Sequence, residues 1–98
     1  MGFQLMRDQY VHDLEMHDVI LKCSKGVFEE YTIQNGFLFK GNRLCVPKGS
    51  YRELLIREAH GGGLAGHFGV HKTIELLKEH LFWPKMLGDV QEIGRAHV

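Results

Sequence analysis

The chain has 98 residues, of which 44% are hydrophobic and 24% are charged, and its 12 basic and 12 acidic side chains give a net charge of zero. A chain of this length forms one small domain, or a fragment of a larger protein, and buries only a modest core. The even charge argues against a strongly basic DNA-binding domain, and no apolar run approaches the roughly 20 residues that a membrane span needs.

The first predicted element is a helix over residues 8 to 23. Asp8 can cap its start, because a short acidic side chain accepts hydrogen bonds from the free amides of the first turn. The helical repeat predicts one stripe of side chains that faces the core. The members of that stripe are Tyr10, Leu14, His17 and Leu21.

Three short strands are predicted next. Residues 27 to 33 are rich in β-branched and aromatic side chains, and the Asn35-Gly36 pair that follows is the strongest two-residue hairpin signal. Residues 37 to 40 form the return strand, and Gly41-Asn42 turns the chain into a third strand over residues 43 to 46. The pattern predicts a small antiparallel meander.

The second half of the chain predicts three helices. The first begins at Ser50, which forms a capping box with Glu53, and ends at His60, just before a glycine-rich loop. A helical repeat puts three of its side chains on one buried face. They are Tyr51, Leu55 and Ala59.

The second of these helices runs from about Gly69 to Leu81. The third begins at Pro84, whose missing amide costs nothing at the first helical position, and Gly94 can end it. The apolar faces comprise Val70, Ile74, Leu77 and Leu81 in the second helix, and Met86 or Leu87, Val90 and Ile93 in the third. The side chains expected in solvent are Lys72, Glu75, Lys78 and Glu79.

These elements predict an α+β fold. Residues 1 to 49 would form the N-terminal helix and the meander, and residues 50 to 98 a three-helix module of helix-turn-helix type. No nucleophile-and-base constellation, phosphate loop or cofactor fingerprint is present, so neither a catalytic residue nor a small-molecule substrate is predicted. The acidic residues expected on solvated helix faces include Asp8, Asp13, Asp18 and Asp89.

The two cysteines, Cys23 and Cys45, lie 22 residues apart, each in an apolar context. The N-terminus lacks the build of a signal peptide, which favours a soluble intracellular protein. In a reducing compartment, buried free thiols are more common than a disulfide. We therefore expect two free thiols.

A pair of histidines brackets the glycine-rich loop. Glycine lets such a loop fold sharply, so His60 and His67 can approach one another as half of a metal site. Surface histidines remain the alternative. So does a pair formed by His67 and His71 on one helix face, although Gly69 favours a helix that begins after His67. His80 and His97 are expected in solvent.

Three stretches of the sequence resemble one family. The segment from Leu54 to Gly69, followed by Lys72-Thr73 and then by Phe82-Trp83-Pro84-Lys85-Met86, resembles the zinc-binding integrase domain of plant gypsy-type retrotransposon polyproteins. Residues 37 to 47 resemble the strand pair that precedes that domain. The resemblance runs from about residue 20 to residue 95.

The resemblance implies a His-His-Cys-Cys zinc module in which His60 and His67 are the two imidazole ligands. It places two cysteines about two helical turns after Asp89-Val90. The sequence departs from the family there, because Arg95 is followed by Ala96-His97-Val98. Two neutral ligands do not close a tetrahedral zinc site. We therefore expect zinc to bind weakly or not at all.

The resemblance also implies a fragment of a retrotransposon integrase that is not an enzyme, since the family's catalytic carboxylate core lies downstream of this domain. Its role would be to help integrase multimerise and to position DNA ends during DNA integration, and as such a fragment it would act in the nucleus or cytoplasm. Self-association or other integrase regions are the expected partners, with duplex DNA bound weakly because the net charge is zero. Two alternatives remain open: a host-expressed degenerate remnant that serves as a protein-interaction or structural subunit, and a helix-turn-helix DNA-binding protein unrelated to transposition.

Overall fold

The computed structural model describes residues 3–61 and 69–96. Five α-helices, a 3-10 turn and four short strands make up these residues, which confirms the α+β fold. The elements are α1 Phe3–Asp8, a 3-10 turn Tyr10–His12, α2 Leu14–Ser24, β1 Tyr31–Gln34, β2 Phe37–Lys40, β3 Arg43–Cys45, α3 Ser50–His60, α4 Val70–His80, β4 Leu81–Phe82 and α5 Met86–Ala96.

The four strands form one sheet in the order β1-β2-β3-β4. The first three are antiparallel and joined by tight turns, as the hairpin signals predict. β4 was not predicted. It directly follows α4 and pairs in parallel with β3, with Leu81 opposite Leu44 and Phe82 opposite Cys45. This pairing ties the helical half of the chain to the meander.

The single helix predicted over residues 8 to 23 is wrong in its first part. The 3-10 turn interrupts it, and Asp13 caps α2 by accepting a hydrogen bond from the Met16 amide at 3.0 Å. Asp8 is the last residue of α1 rather than a cap. The interruption also changes the buried face of α2, because Leu14 is 85% exposed whereas Met16 is 4% exposed.

Two helices do not begin as predicted. Gly49, at φ +146°, is the N-cap of α3 without a side-chain cap hydrogen bond, so Ser50 is already helical and the capping box does not form. Glu53 instead accepts hydrogen bonds from Arg57, the shorter at 2.6 Å. Lys85 has a left-handed φ of +64°, so α5 begins after it and not at Pro84.

The helix faces are mostly as predicted. Ile74 and Leu77 of α4 are buried, and the four charged residues expected in solvent are exposed. In α5, Met86 takes the core position and Leu87 is 51% exposed. α5 continues through Gly94 to Ala96, so the predicted end is wrong. A glycine inside a helix is tolerated at a cost of about 1 kcal/mol when packing holds the helix.

One hydrophobic cluster joins the elements before and after residue 49. Tyr10 lies within it and links two strands, since its hydroxyl donates to the Cys45 carbonyl at 2.6 Å and accepts from the Leu38 amide at 3.2 Å. Burial raises the pKa of Tyr10 to about 12. The buried apolar members are Met6, Tyr10, Met16, Leu38, Cys45, Val46, Tyr51, Ile56, Ile74, Leu77, Trp83, Met86 and Val90.

None of the helices in the described ranges is long and apolar enough to span a membrane.

Candidate metal centre and the adjoining polar network

His60 is the last residue of α3 and is half-buried. The helix closes behind it, because the Gly61 amide donates to the Arg57 carbonyl at 3.0 Å. The C-terminal end of a helix carries a partial negative charge and stabilises a cation placed there. His60 therefore stands at the helix end that the sequence predicts, and its role as a metal ligand stays a prediction.

The second predicted ligand, His67, lies outside the described residues, in the segment between Gly61 and Gly69. α4 begins at Val70, so the described helix starts after His67, as Gly69 suggested. His71 lies in the first turn of α4, where it is 91% exposed and 3.1 Å from Glu75. An exposed, ion-pairing position is an ordinary surface setting for a histidine.

Within the described residues, neither cysteine belongs to a cluster that could hold a metal ion. Both are free thiols, as predicted. Cys45 is fully buried in β3, and burial raises its pKa to about 12, whereas zinc binds the thiolate form. Cys23 belongs to α2, and burial also raises its pKa. In both thiols burial therefore opposes formation of the thiolate.

The described residues do not fit a closed zinc site. Zinc in structural sites takes four ligands, usually thiolates and imidazoles. Within residues 3–61 and 69–96, no three His, Cys, Asp or Glu side chains come close enough to hold a metal ion. Of the two predicted ligands, the described part of the chain supplies His60.

We expect this chain to bind zinc far more weakly than a structural zinc site does. Structural sites bind with about 10–16 kcal/mol, and half of the ligands would give roughly half of that, or a Kd near 1 μM or weaker. Titration against a chromophoric chelator measures the Kd directly. A 1:1 complex with a nanomolar Kd that is lost in His60→Ala would contradict this expectation, and His80→Ala serves as the control.

A network of polar side chains lies between the N-terminal helices and the helical module. Its centre is Asp13, which is 5% exposed. One carboxylate oxygen caps α2 through the Met16 amide. The other accepts from the Lys48 amide at 2.8 Å and from the Arg52 guanidinium at 3.2 Å. The prediction that Asp13 lies on a solvated helix face is therefore wrong.

Arg52 carries this network into the module. Its Nε donates to the Val46 carbonyl at 3.0 Å, and its guanidinium lies 5.6 Å from the centre of the Trp83 ring system. The indole N–H of Trp83 donates to Asp89 at 2.9 Å. Burial lowers the pKa of Arg52, and the carboxylates of Asp13 and Asp89 oppose that shift. The network connects α2, α3 and α5.

A cleft of about 480 Å³ opens beside this network, with His12, Leu14 and Lys85 among its lining residues. The carboxylates of Asp13 and Asp89 face it, and both are already held by hydrogen-bond donors. A carboxylate fixed in this way stabilises the fold and is poorly placed to act as a general base. We assign the network a structural role.

Sequence reasoning missed this network because its partners are distant in the chain. Asp13 and Arg52 are 39 residues apart. One local signal was present, since Asp13 stands three residues before Met16, at the spacing of an N-cap. No local sequence pattern pointed to the role of Arg52.

Comparison with known families finds a match to the helical module. A family model described as the integrase zinc binding domain matches residues 47–96, about half of the chain. The matched range takes in α3, α4, β4 and α5, together with His60 and His67. No curated protein matches the chain.

Proposed function

This chain belongs to the integrase zinc-binding domain family, and from that membership we propose that it helps a retrotransposon integrase to multimerise and to position DNA ends. The family match carries the proposal, because it covers the whole helical module and the predicted ligand pair. The matched domain is the non-catalytic zinc-binding domain of integrases. We assign the chain no catalytic step of its own.

An exposed apolar stripe on α2 supports self-association. Leu14 and Leu21 are 85% and 50% exposed, and Val11 in the preceding 3-10 turn is 55% exposed. Residues seven apart lie close to the same face of a helix, so Leu14 and Leu21 share one side. We call Leu14 and Leu21 the α2 stripe. Exposed apolar side chains that share one helix face are a feature of protein interaction sites.

The occupant that we propose for the α2 stripe is a second copy of the chain. A self-complementary helix face is the simplest way to build a twofold interface. The chain has no net charge, so two copies do not repel each other over long range. His17 and Asp18 lie on the same face between the two leucines, so polar contacts would accompany the apolar ones in this interface.

The double variant Leu14→Glu/Leu21→Glu tests this proposal. Burying one leucine fully is worth about 1.5–3 kcal/mol, so two carboxylates at the interface weaken self-association by about 100-fold or more. Sedimentation velocity over a concentration series measures the association constant. Leu87→Glu is the matched control, because Leu87 is likewise half exposed, at 51%, but belongs to a different helix, α5.

A wild-type chain that stays monomeric at every concentration would contradict multimerisation through this surface. So would a double variant that associates as strongly as the wild type. The double variant is expected to keep its helical circular dichroism, since both leucines are largely exposed.

A host-expressed remnant that serves as a protein-interaction or structural subunit is the second candidate. A subunit of this kind needs no metal ion, and within the described residues no three His, Cys, Asp or Glu side chains come close enough to hold one. The reading frame after Val98 at the source locus separates the two. A Cys-x-x-Cys pair followed by an acidic triad supports the integrase module, and a stop codon supports the remnant.

A further inference from the structure

The β2–β3 hairpin places two cations side by side. Lys40 and Arg43 are register partners at its end, joined by a two-residue turn in which Gly41 has a φ of +61°. Opposite residues of an antiparallel pair project to the same face of the sheet, and like charges in such a pair destabilise it. The hairpin therefore holds an arrangement that costs stability in the absence of an anion.

Two aromatic rings position these cations. The Lys40 ammonium lies 4.2 Å from the centre of the Phe82 ring and 5.8 Å from that of Tyr31. The Arg43 guanidinium lies 5.3 Å from the centre of the Phe82 ring. Cation–π contacts of this kind restrain long basic side chains. Because Tyr31 is in β1 and Phe82 is in β4, the cations and rings form a row across the sheet.

The two cations lack an acidic partner in the described part of the chain. The carboxylate ion pairs found there are made by other basic residues, and neither Lys40 nor Arg43 has a carboxylate within 4.0 Å. Glu29 and Glu30, which precede β1, do not approach either cation to that distance. Lys40 and Arg43 are therefore two adjacent, restrained cations without a neighbouring carboxylate, and such a pair is suited to bind an external anion.

We propose that Lys40 and Arg43 bind the phosphate backbone of DNA. The guanidinium fork of arginine and the ammonium of lysine both favour phosphate oxygens. Contacts to phosphates carry no direct sequence information, so the expected binding is independent of base sequence. The choice of DNA as the polyanion rests on the proposed function. Lys40 and Arg43 lie outside the family match, and so the meander adds a DNA contact to the module.

The double variant Lys40→Gln/Arg43→Gln tests the site. Two phosphate contacts predict a slope of about −1.8 for log K against log salt concentration, or roughly a tenfold loss of affinity between about 50 and 200 mM salt. Fluorescence anisotropy with a labelled duplex of about 20 base pairs measures both quantities. In the double variant we expect about tenfold weaker binding at low salt and a slope near zero.

Two further variants separate the site from net charge and from folding. Lys25→Gln/Lys78→Gln removes the same charge from exposed positions elsewhere and is expected to bind as the wild type does. The exchange Lys40→Arg/Arg43→Lys keeps both charges on the hairpin and is expected to bind within threefold of the wild type. A control that weakens binding as much as the test variant, or an exchange variant that loses binding, overturns the proposal.

Competitors identify the source of the anion. Orthophosphate and polyglutamate are added at matched ionic strength to the complex of wild-type chain and duplex. The proposal predicts that neither displaces the duplex as well as unlabelled DNA does. Displacement by orthophosphate at equal phosphate concentration would assign the site to free phosphate, and displacement by polyglutamate to an acidic protein segment; either result overturns the DNA assignment.

Sedimentation velocity on the same preparations reports self-association separately. A wild-type chain that self-associates but binds duplex without salt dependence overturns the Lys40–Arg43 site and leaves the proposed multimerisation intact. A chain that binds duplex through this pair but stays monomeric supports the Lys40–Arg43 site and overturns the proposed multimerisation.

Discussion

Replacement of Asp13 by alanine is expected to lower the free energy of unfolding by about 3–5 kcal/mol. The change removes the α2 cap and leaves the Lys48 amide without its acceptor. It also leaves the Arg52 guanidinium, whose side chain is 13% exposed, without its carboxylate partner. An unpaired charge at such a site costs more than a surface ion pair is worth. The total approaches the whole stability of a small domain.

Chemical denaturation followed by circular dichroism measures this loss. Asp18→Ala is the matched control, because Asp18 forms an ion pair with Lys22 at 2.9 Å in which both side chains are more than half exposed. That pair is worth about 0.5 kcal/mol or less. If the free energies of unfolding of Asp13→Ala and Asp18→Ala differ by less than about 1 kcal/mol, Asp13 does not hold the N-terminal helices to the module.

Replacement of Trp83 by alanine is expected to cost about 3–5 kcal/mol. Trp83 is 1% exposed in the shared core and is the largest of its fully buried side chains. Its loss leaves a cavity and removes both the hydrogen bond to Asp89 and the ring contact with Arg52. Urea unfolding of the purified variant measures the change.

Two comparisons separate the contributions of Trp83. Asp89→Ala removes the hydrogen bond alone and is expected to cost about 1–2 kcal/mol. Phe28→Ala removes a half-buried ring that stacks on Tyr31 at 6.1 Å and is expected to cost less than the tryptophan change. A Trp83→Ala variant no less stable than Phe28→Ala would show that the core is not shared by the two halves of the chain.

The sequence predicted the helices and strands that are determined by residues close together in the chain. The hairpin between β1 and β2 follows from Asn35-Gly36, whose φ values of +52° and +82° suit a tight turn that most residues resist. α4 follows from its helical repeat, which places Ile74 and Leu77 in the core. In both cases the residues that determine the structure are neighbours in the chain.

The features that sequence reasoning missed depend on distant residues. β4 has two residues, too few to show a strand repeat, and it exists because β3 offers a free edge. Asp13 is buried because Arg52, 39 residues later, lies against it. The 3-10 turn before α2 changed which leucines face solvent, and this turned part of a predicted core stripe into the proposed interaction surface.

The candidate site was predicted in part. His60 lies at the end of α3 as expected, while the position of His67 is not described. Cys45 is part of the buried core, and its backbone carbonyl accepts a hydrogen bond from the hydroxyl of Tyr10. No pattern in the sequence pointed to the Lys40–Arg43 pair, because its aromatic support comes from β1 and β4.

The central claim is that packing against the preceding sheet and helices stabilises this zinc-binding family module without a closed zinc site. The direct test is thermal unfolding of the full chain, followed by far-ultraviolet circular dichroism, in excess EDTA and in excess zinc. We predict one cooperative transition whose midpoint differs by less than about 2 °C between the two conditions, since weak binding adds little stability. Loss of helical signal in EDTA, restored by one equivalent of zinc, would contradict the claim.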